Sequence, residues 1–285
     1  MRQFRRYPPV DFARYLKFIV ADQHVGWVRR TRMDHLAAFP KVFAIGNDRV
    51  AMQDGLADFE SRSAAMAEVL AAWREAGLVT GWRNELFPVN RGFGQPPLLC
   101  MERAGTPLFG ILSYGVNING LVGQGRDLHL WIGRRAAHKP VDPNMLDLVV
   151  GGGQPMGITV WDNLVKECWE EAGIEAEIAR QAKPVSLTTL TIEAGEGLRV
   201  GLQFNYDLHL PADFMPNNMD GEVVAFQLMP VQSLIENLLN TDEFSYDIAL
   251  VKIDLLIRHG YLGPDDPDYL DLVAGLRRPI AFDPL

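Results

Sequence analysis

Three glutamates lie close together in the segment LVKECWEEAGI, which runs from residue 164 to residue 174. At about 100° per residue, Glu167, Glu170 and Glu171 fall on one side of a predicted helix, next to an apolar stripe that includes Leu164 and Cys168. Like charges at these spacings oppose a helix by roughly 0.2–0.5 kcal/mol per pair. The cluster therefore predicts a cationic partner. Mg²⁺ suits this role, because it takes a few carboxylate ligands together with substrate phosphates.

The segment that precedes the glutamate helix is rich in glycine. LVVGGGQPMGITVWD leads from an apolar strand through Gly151, Gly152 and Gly153 to Thr159, which is a predicted N-cap. Two interpretations of the glycines stay open: a close approach of the backbone to a ligand, or a tight strand-to-helix connection. The succession of a strand, a glycine-rich loop and a carboxylate-bearing helix favours a metal site that receives phosphates.

This succession resembles the box of the Nudix hydrolases, whose pattern is G-x5-E-x7-R-E-U-x-E-E-x-G-U, where U is apolar. Gly152 takes the first glycine, and Glu167, Glu170 and Glu171 take the later glutamates. The resemblance implies an enzyme that hydrolyses phosphoanhydride bonds with Mg²⁺ or Mn²⁺. It also implies that these glutamates and the backbone carbonyl of Gly152 hold the metal ion.

Two positions of the box depart from the family pattern. Ile158 stands where the first glutamate belongs, and Lys166 replaces the arginine. The arginine of the family orients carboxylates, whereas lysine keeps the charge but lacks the planar fork. We therefore expect Lys166 to reach Glu167 or Glu170, and we expect a slow enzyme that still binds metal.

Further candidate residues lie outside the box. Glu222, in DGEVVAFQL, matches the place where Nudix enzymes often carry a later metal-binding or base glutamate; the alternative is a surface residue at the start of a strand. Arg134 and Arg135, at the end of LHLWIGRRA, are candidates for phosphate binding, or else form surface ion pairs. Glu167, Lys166 and Glu222 are the predicted catalytic residues.

The resemblance extends along most of the chain and indicates a subfamily. RAGTPLFGILSYGVNINGLV and EFSYDIALVKIDLLIRHGYL are similar to the Nudix region found next to thiamine pyrophosphokinase domains in fungal proteins. This implies hydrolysis of thiamine diphosphate, or of its oxidised or oxygen-substituted analogues, to the monophosphate. Two alternatives stay open: another nucleoside-diphosphate-linked substrate, and a non-catalytic binding module.

Composition limits the classes of partner. A net charge of −9 and a pI near 5.2 disfavour nucleic acid and anionic membranes, both of which need a basic face. The sequence has no apolar run of 18 or more residues, and Cys100 and Cys168 are expected to be free thiols in a reducing compartment. We expect a cytoplasmic protein with a small-molecule diphosphate substrate. Whether it forms a homodimer is left open.

The order of predicted elements indicates an α+β fold with two domains. Within it, PVSLTTLTIEA and LRVGLQFNYDLHL are predicted to form a hairpin around residues 195–197. Residues 1–105 are predicted to form a smaller α+β domain. Residues 106–285 are predicted to form a Nudix-type α/β/α sandwich with a mixed sheet and C-terminal helices. We expect the N-terminal domain to shape substrate choice without supplying catalytic groups.

Overall fold

The computed structural model describes residues 7–139, 141–195, 197–280 and 282. Its N-terminal part contains, in chain order, β1 (Tyr15–Val20), β2 (Gln23–Arg29), α1 (Met33–Ala37), β3 (Phe43–Ile45), β4 (Arg49–Met52), α2 (Phe59–Glu75), β5 (Leu86–Val89) and β6 (Leu99–Glu102). The first four strands form a sheet in the order β2-β1-β4-β3, and β5 pairs with β6. This part is α+β, as predicted.

A hydrophobic core fixes the extent of the N-terminal part. α2 begins with a capping box between Asp58 and Ser61, and its buried side of Met66, Leu70 and neighbours packs against the strands. The same core continues through a 3-10 helix, Arg103–Phe109, and includes Ile111. The core thus continues past residue 105, up to the start of the next strand.

In the second part, the described residues form a seven-stranded mixed sheet and five α-helices. Its elements are β7 (Leu112–Val122), β8 (His129–Arg135), β9 (Leu146–Asp147), β10 (Val150–Gly153), α3 (Val160–Ala172), α4 (Ala176–Ala179), β11 (Lys183–Ala194), β12 (Gly197–His209), β13 (Val223–Pro230), α5 (Val231–Asn240), α6 (Tyr246–Arg258) and α7 (Tyr269–Gly275). The strand order is β11-β12-β7-β8-β13, with β10 on β7 and β9 on β8. β12 and β7 are parallel, whereas β11 and β12 form the predicted antiparallel hairpin.

The sheet lies between two helical layers. Successive side chains of β7 point to opposite faces of the sheet. Val116 and Ile118 pack in the core that includes α3, whereas Leu121 packs in the core that includes α5, α6 and α7. This is the predicted α/β/α arrangement. No helix among the described residues is long and apolar enough to cross a membrane.

The two parts of the chain are in direct contact near the start of α3. The backbone N–H of Met156, in the loop before α3, donates to the carbonyl of Leu86 in β5 at 2.9 Å. A Cβ atom on Gly153 would lie 2.6 Å from the ring of Phe87, so only glycine allows β5 to approach this closely. The N-terminal part therefore forms one wall beside the glutamate helix.

Candidate active site

The glutamate helix has defined ends. Thr159 is the N-cap of α3, and its hydroxyl accepts a hydrogen bond from the backbone N–H of Asp162, as predicted. Gly173 closes the helix in the left-handed conformation with φ 63°. Leu164, Cys168 and Ala172 are fully buried against the sheet. This packing orients Glu167 and Glu171 toward the end of β10.

Gly152 lies directly against the carboxyl group of Glu167. A Cβ atom at residue 152 would be 2.3 Å from Cδ of Glu167 and 2.5 Å from its Cγ, so the Glu167 side chain would have to move to make room for it. Because Glu167 is buried, its pKa is raised, although the nearby charge of Lys166 opposes the effect. The glycine thus lets the strand lie against a carboxylate of the chain itself, and its predicted approach to a ligand stays a prediction.

Glu171 is buried and meets two acidic residues from a distant segment. Its Oε2 accepts a hydrogen bond of 2.7 Å from the backbone N–H of Gly151, and burial raises its pKa well above the usual range. Carboxylate oxygens of Glu171, Asp220 and Glu222 all lie within 4.8 Å of one another. The structure therefore brings Glu222 beside one box glutamate, Glu171, and adds Asp220 to the predicted residues; a metal-binding or base role of Glu222 stays a prediction.

A tight turn before β13 positions these two acids. The side-chain oxygen of Asn218 accepts from the backbone N–H groups of Asp220 and Gly221, and Oδ1 of Asp220 accepts from the N–H of Glu222 at 2.8 Å. Gly221 has φ 83°, which favours glycine at this position. Sequence reasoning missed Asp220, although the Asp-Gly pair that predicts a turn was visible.

Lys166 contacts two glutamates of the box. Its Nζ lies 3.1 Å from Oε1 of Glu167 and 2.7 Å from Oε2 of Glu170, so the expected change of partner is confirmed. Glu170 is half-exposed and does not belong to the group formed by Glu171, Asp220 and Glu222. Ile158 is half-buried, and its carbonyl accepts a hydrogen bond from Gln154. Thus the lysine bridges two carboxylates where the family pattern has an arginine.

Arg134 and Arg135 are bound by a neighbouring segment of the chain. Arg134 donates to the carbonyl of Asn144 at 2.8 Å, and Arg135 pairs with Asp147 at 2.5 Å and with the carbonyl of Val141. These contacts favour the ion-pair alternative over phosphate binding. Their assignment to the substrate stays a prediction that the geometry does not favour.

Two other cations contact the site instead. Nη1 of Arg83 lies 3.0 Å from Oε1 of Glu222, and Nζ of Lys139 pairs with the other carboxylate oxygen. Burial acts to raise the pKa of Glu222, but Lys139 and Arg83 outweigh it, and the pKa is lowered. Whether the N-terminal part shapes substrate choice without supplying catalytic groups stays a prediction, but this part does place Arg83 at the site. The contact of β5 with the loop before α3 brings it there.

The donor set fits a hard divalent cation. Three carboxylates converge, and burial, followed by the charge of nearby acidic groups, raises the pKa of one of them, Glu171; a bound cation would favour its charged form. Magnesium and manganese take oxygen ligands of this kind, whereas none of these residues is a thiolate or an imidazole. Glu171, Asp220 and Glu222 would hold such an ion, with Glu167 and the carbonyl of Gly152 close by.

Comparison with known proteins agrees with this geometry. Residues 1–113 match a family described as a domain of unknown function, DUF4743. The chain is 38% identical over 275 residues to "Nudix hydrolase 20, chloroplastic" of Arabidopsis thaliana, covering 92% of the chain and 73% of that protein. It is also 38% identical over 265 residues to "Nudix hydrolase 24, chloroplastic" of the same plant, with the same two coverages.

A third relative covers even more of the chain. An uncharacterized protein of Saccharomyces cerevisiae is 30% identical over 310 residues, which include 97% of this chain and 89% of the yeast protein. The matches thus span the N-terminal part, the box and the distant acids together. The chain belongs to the Nudix hydrolases and is a hydrolase that acts on phosphoanhydride bonds.

Proposed function

We propose that this protein is a Mg²⁺- or Mn²⁺-dependent pyrophosphohydrolase that cleaves a thiamine-diphosphate-like compound, such as an oxidised analogue, to the monophosphate. The observation that carries the metal-dependent part is the convergence of Glu171 with Asp220 and Glu222 within 4.8 Å. The substrate rests on the resemblance of the chain to the Nudix region found beside thiamine pyrophosphokinase domains.

The residues of the site would share the work of hydrolysis. A bound divalent cation neutralises charge on the phosphoryl oxygens and lowers the pKa of a coordinated water. The N–H of Gly151 fixes the carboxylate of Glu171 in place. Lys166 restrains Glu167 and Glu170, and Glu222 is available as a metal ligand or a general base.

A substrate panel tests both the activity and its specificity. Purified protein with Mg²⁺ is incubated with thiamine diphosphate, oxythiamine diphosphate, ADP-ribose and a sugar nucleotide, and monophosphate products are measured. We expect the thiamine-type compounds to give the highest kcat/KM. Preference for ADP-ribose or the sugar nucleotide would transfer the proposal to the alternative substrate class, and binding without turnover of any compound would identify a binding module.

We propose a small-molecule partner and a cytoplasmic location for this protein. A small-molecule diphosphate as the partner agrees with the family, and the net charge of −9 disfavours nucleic acid as a partner. The cytoplasmic location and the oligomeric state stay predictions. Size-exclusion chromatography with light scattering measures the second directly.

A further inference from the structure

Arg83 and Lys139 converge on a single carboxylate. Arg83 contacts one carboxylate oxygen of Glu222 and Lys139 contacts the other, so two cationic side chains pair with one carboxylate. Asp220 and Glu171 lie within 4.8 Å of the same group. If a divalent cation takes Glu222, these two side chains lose their partner at the place where a diphosphate must bind.

We infer that Arg83 and Lys139 change partner: they pair with Glu222 when no divalent cation is bound, and they bind phosphate oxygens of the substrate when Glu222 coordinates the cation. The inference rests on the proposed function, because it needs a metal ion and a diphosphate in this site. It adds a residue of the N-terminal part to substrate recognition.

The backbone of Arg83 is anchored, which leaves its side chain as the movable part. The N–H of Arg83 donates to Oε1 of Glu102 at 2.9 Å, and the N–H of Glu85 donates to Oε2 of the same residue at 3.2 Å. Glu102 is buried, with 4% of its surface exposed. A carboxylate that accepts several backbone N–H groups fixes the chain segment from which Arg83 projects.

The side chain of Arg83 has the properties of a phosphate ligand. Its guanidinium carries five N–H donors in a fixed fork, and the contact with Glu222 uses only Nη1. The side chain is 31% exposed, so an incoming ligand can reach it. Lys139 is a compact charge and only 7% exposed, which suits a second, shielded contact with phosphate.

Electrostatics makes the exchange of partners consistent. With the metal absent, three carboxylates face two cations, so each cation has a nearby negative charge. Adding a divalent ion would offset the negative charge of the carboxylates and free the two cations from Glu222, so that a diphosphate meets less repulsion and two available donors. Metal and substrate should therefore bind with positive coupling, and Arg83 should contribute to that coupling.

Calorimetry with Mn²⁺ and the non-hydrolysable methylenediphosphonate tests the inference on the full chain. The variants are Arg83→Gln and Arg83→Lys, with Arg49→Gln as the control, since Arg49 is an exposed arginine of the same part. With Mn²⁺ present, we expect Arg83→Gln to bind the diphosphonate about tenfold more weakly than the wild type. Arg83→Lys should lose less, and Arg49→Gln nothing.

The metal titration separates this role from a purely structural one. Without diphosphonate, Arg83→Gln should bind Mn²⁺ at least as tightly as the wild type, because a competitor for Glu222 is gone. Without Mn²⁺, wild type and variant should bind the diphosphonate equally weakly. Weaker Mn²⁺ binding, or unchanged diphosphonate binding with Mn²⁺, overturns the inference. If Arg83→Gln does not fold, Arg83→Lys serves as the test: diphosphonate affinity with Mn²⁺ should fall because the guanidinium fork is lost, while Mn²⁺ affinity stays unchanged, and unchanged diphosphonate affinity overturns the inference.

Failure of the inference is distinguishable from failure of the proposed function. A wild type that hydrolyses the panel, beside an Arg83→Gln variant with unaltered diphosphonate affinity and KM, refutes only the exchange of partners. A wild type that binds no Mn²⁺ refutes both. A wild type that couples Mn²⁺ and diphosphonate through Arg83 but turns over nothing on the panel refutes the enzymatic proposal alone.

Discussion

Two adjacent glycines of β10 allow a sharp test of the contact between the glycine loop and the glutamate helix. A Cβ atom on Gly152 would be 2.3–2.7 Å from the carboxyl end of Glu167. A Cβ atom on Gly151 would lie 3.5 Å from the nearest atom of Asn117 and 3.6 Å from that of Leu148, which are ordinary contact distances. Alanine at either position changes the strand backbone in the same way. Only alanine at residue 152 disturbs Glu167.

The structure sets the size of the effect. To restore ordinary contact with a new methyl group, the Glu167 carboxyl must move by about 1 Å, and misplacement of that size can cost roughly 100-fold in rate. Movement would also stretch its 3.1 Å contact with Lys166. The overpacked variant should lose about 1–3 kcal/mol of unfolding free energy. Gly151→Ala should be neutral or slightly stabilising, because glycine is a poor residue inside a strand.

The assay compares kcat for the best diphosphate of the panel, together with Mn²⁺ affinity and thermal unfolding, in both variants. We expect Gly152→Ala to lose about 100-fold in kcat while it remains folded, and Gly151→Ala to match the wild type. If the two variants have equal kcat and equal Mn²⁺ affinity, then Glu167 does not depend on the glycine, and the reasoning from close approach is refuted.

Two further predictions concern the departures of the box and a buried amine. The double change Ile158→Glu with Lys166→Arg should raise kcat about tenfold, because it restores the pair that orients carboxylates in the family, and the effects of the two single changes should be coupled. A double variant no faster than the parent would show that other residues orient the carboxylates. Lys252 is fully buried in α6, and burial lowers the pKa of its amine to about 7. Above that pH, the unfolded chain binds a proton that the folded chain does not, so the free energy of unfolding rises with pH. Relative to Lys252→Met, the wild type should gain about 2 kcal/mol between pH 7 and pH 9 in urea unfolding, whereas parallel pH curves would argue against a neutral amine.

The local parts of this site could be predicted from the sequence. The N-cap Thr159, the closing Gly173 and the bridging Lys166 follow from neighbouring residues, because caps and i,i+4 pairs depend on short spacings. The hairpin of β11 and β12 was predicted for the same reason. Each of these features depends only on residues that are close together in the sequence, within about one helical turn or one hairpin.

The long-range parts could not be predicted in the same way. Arg83 and Glu222 are 139 residues apart, and no periodicity or turn signal connects them. Arg134 and Arg135 were candidates for phosphate binding because they lie at a strand end. Their actual partners, the carbonyls of Asn144 and Val141, belong to a loop whose path the sequence pattern does not predict. Partners at such distances depend on how β5 packs against the loop before α3, which is a property of the tertiary fold.

Binding of a divalent cation by the three converging carboxylates is tested most directly by calorimetric titration of Mn²⁺ into three proteins. These are the wild type, Glu171→Gln, and Glu236→Gln, which changes an exposed residue of α5. Glutamine at residue 171 can still accept the hydrogen bond from Gly151, so this variant should fold. We predict that Glu171→Gln lowers Mn²⁺ affinity by more than about tenfold and Glu236→Gln leaves it unchanged. Equal Mn²⁺ affinity in all three proteins would contradict the account.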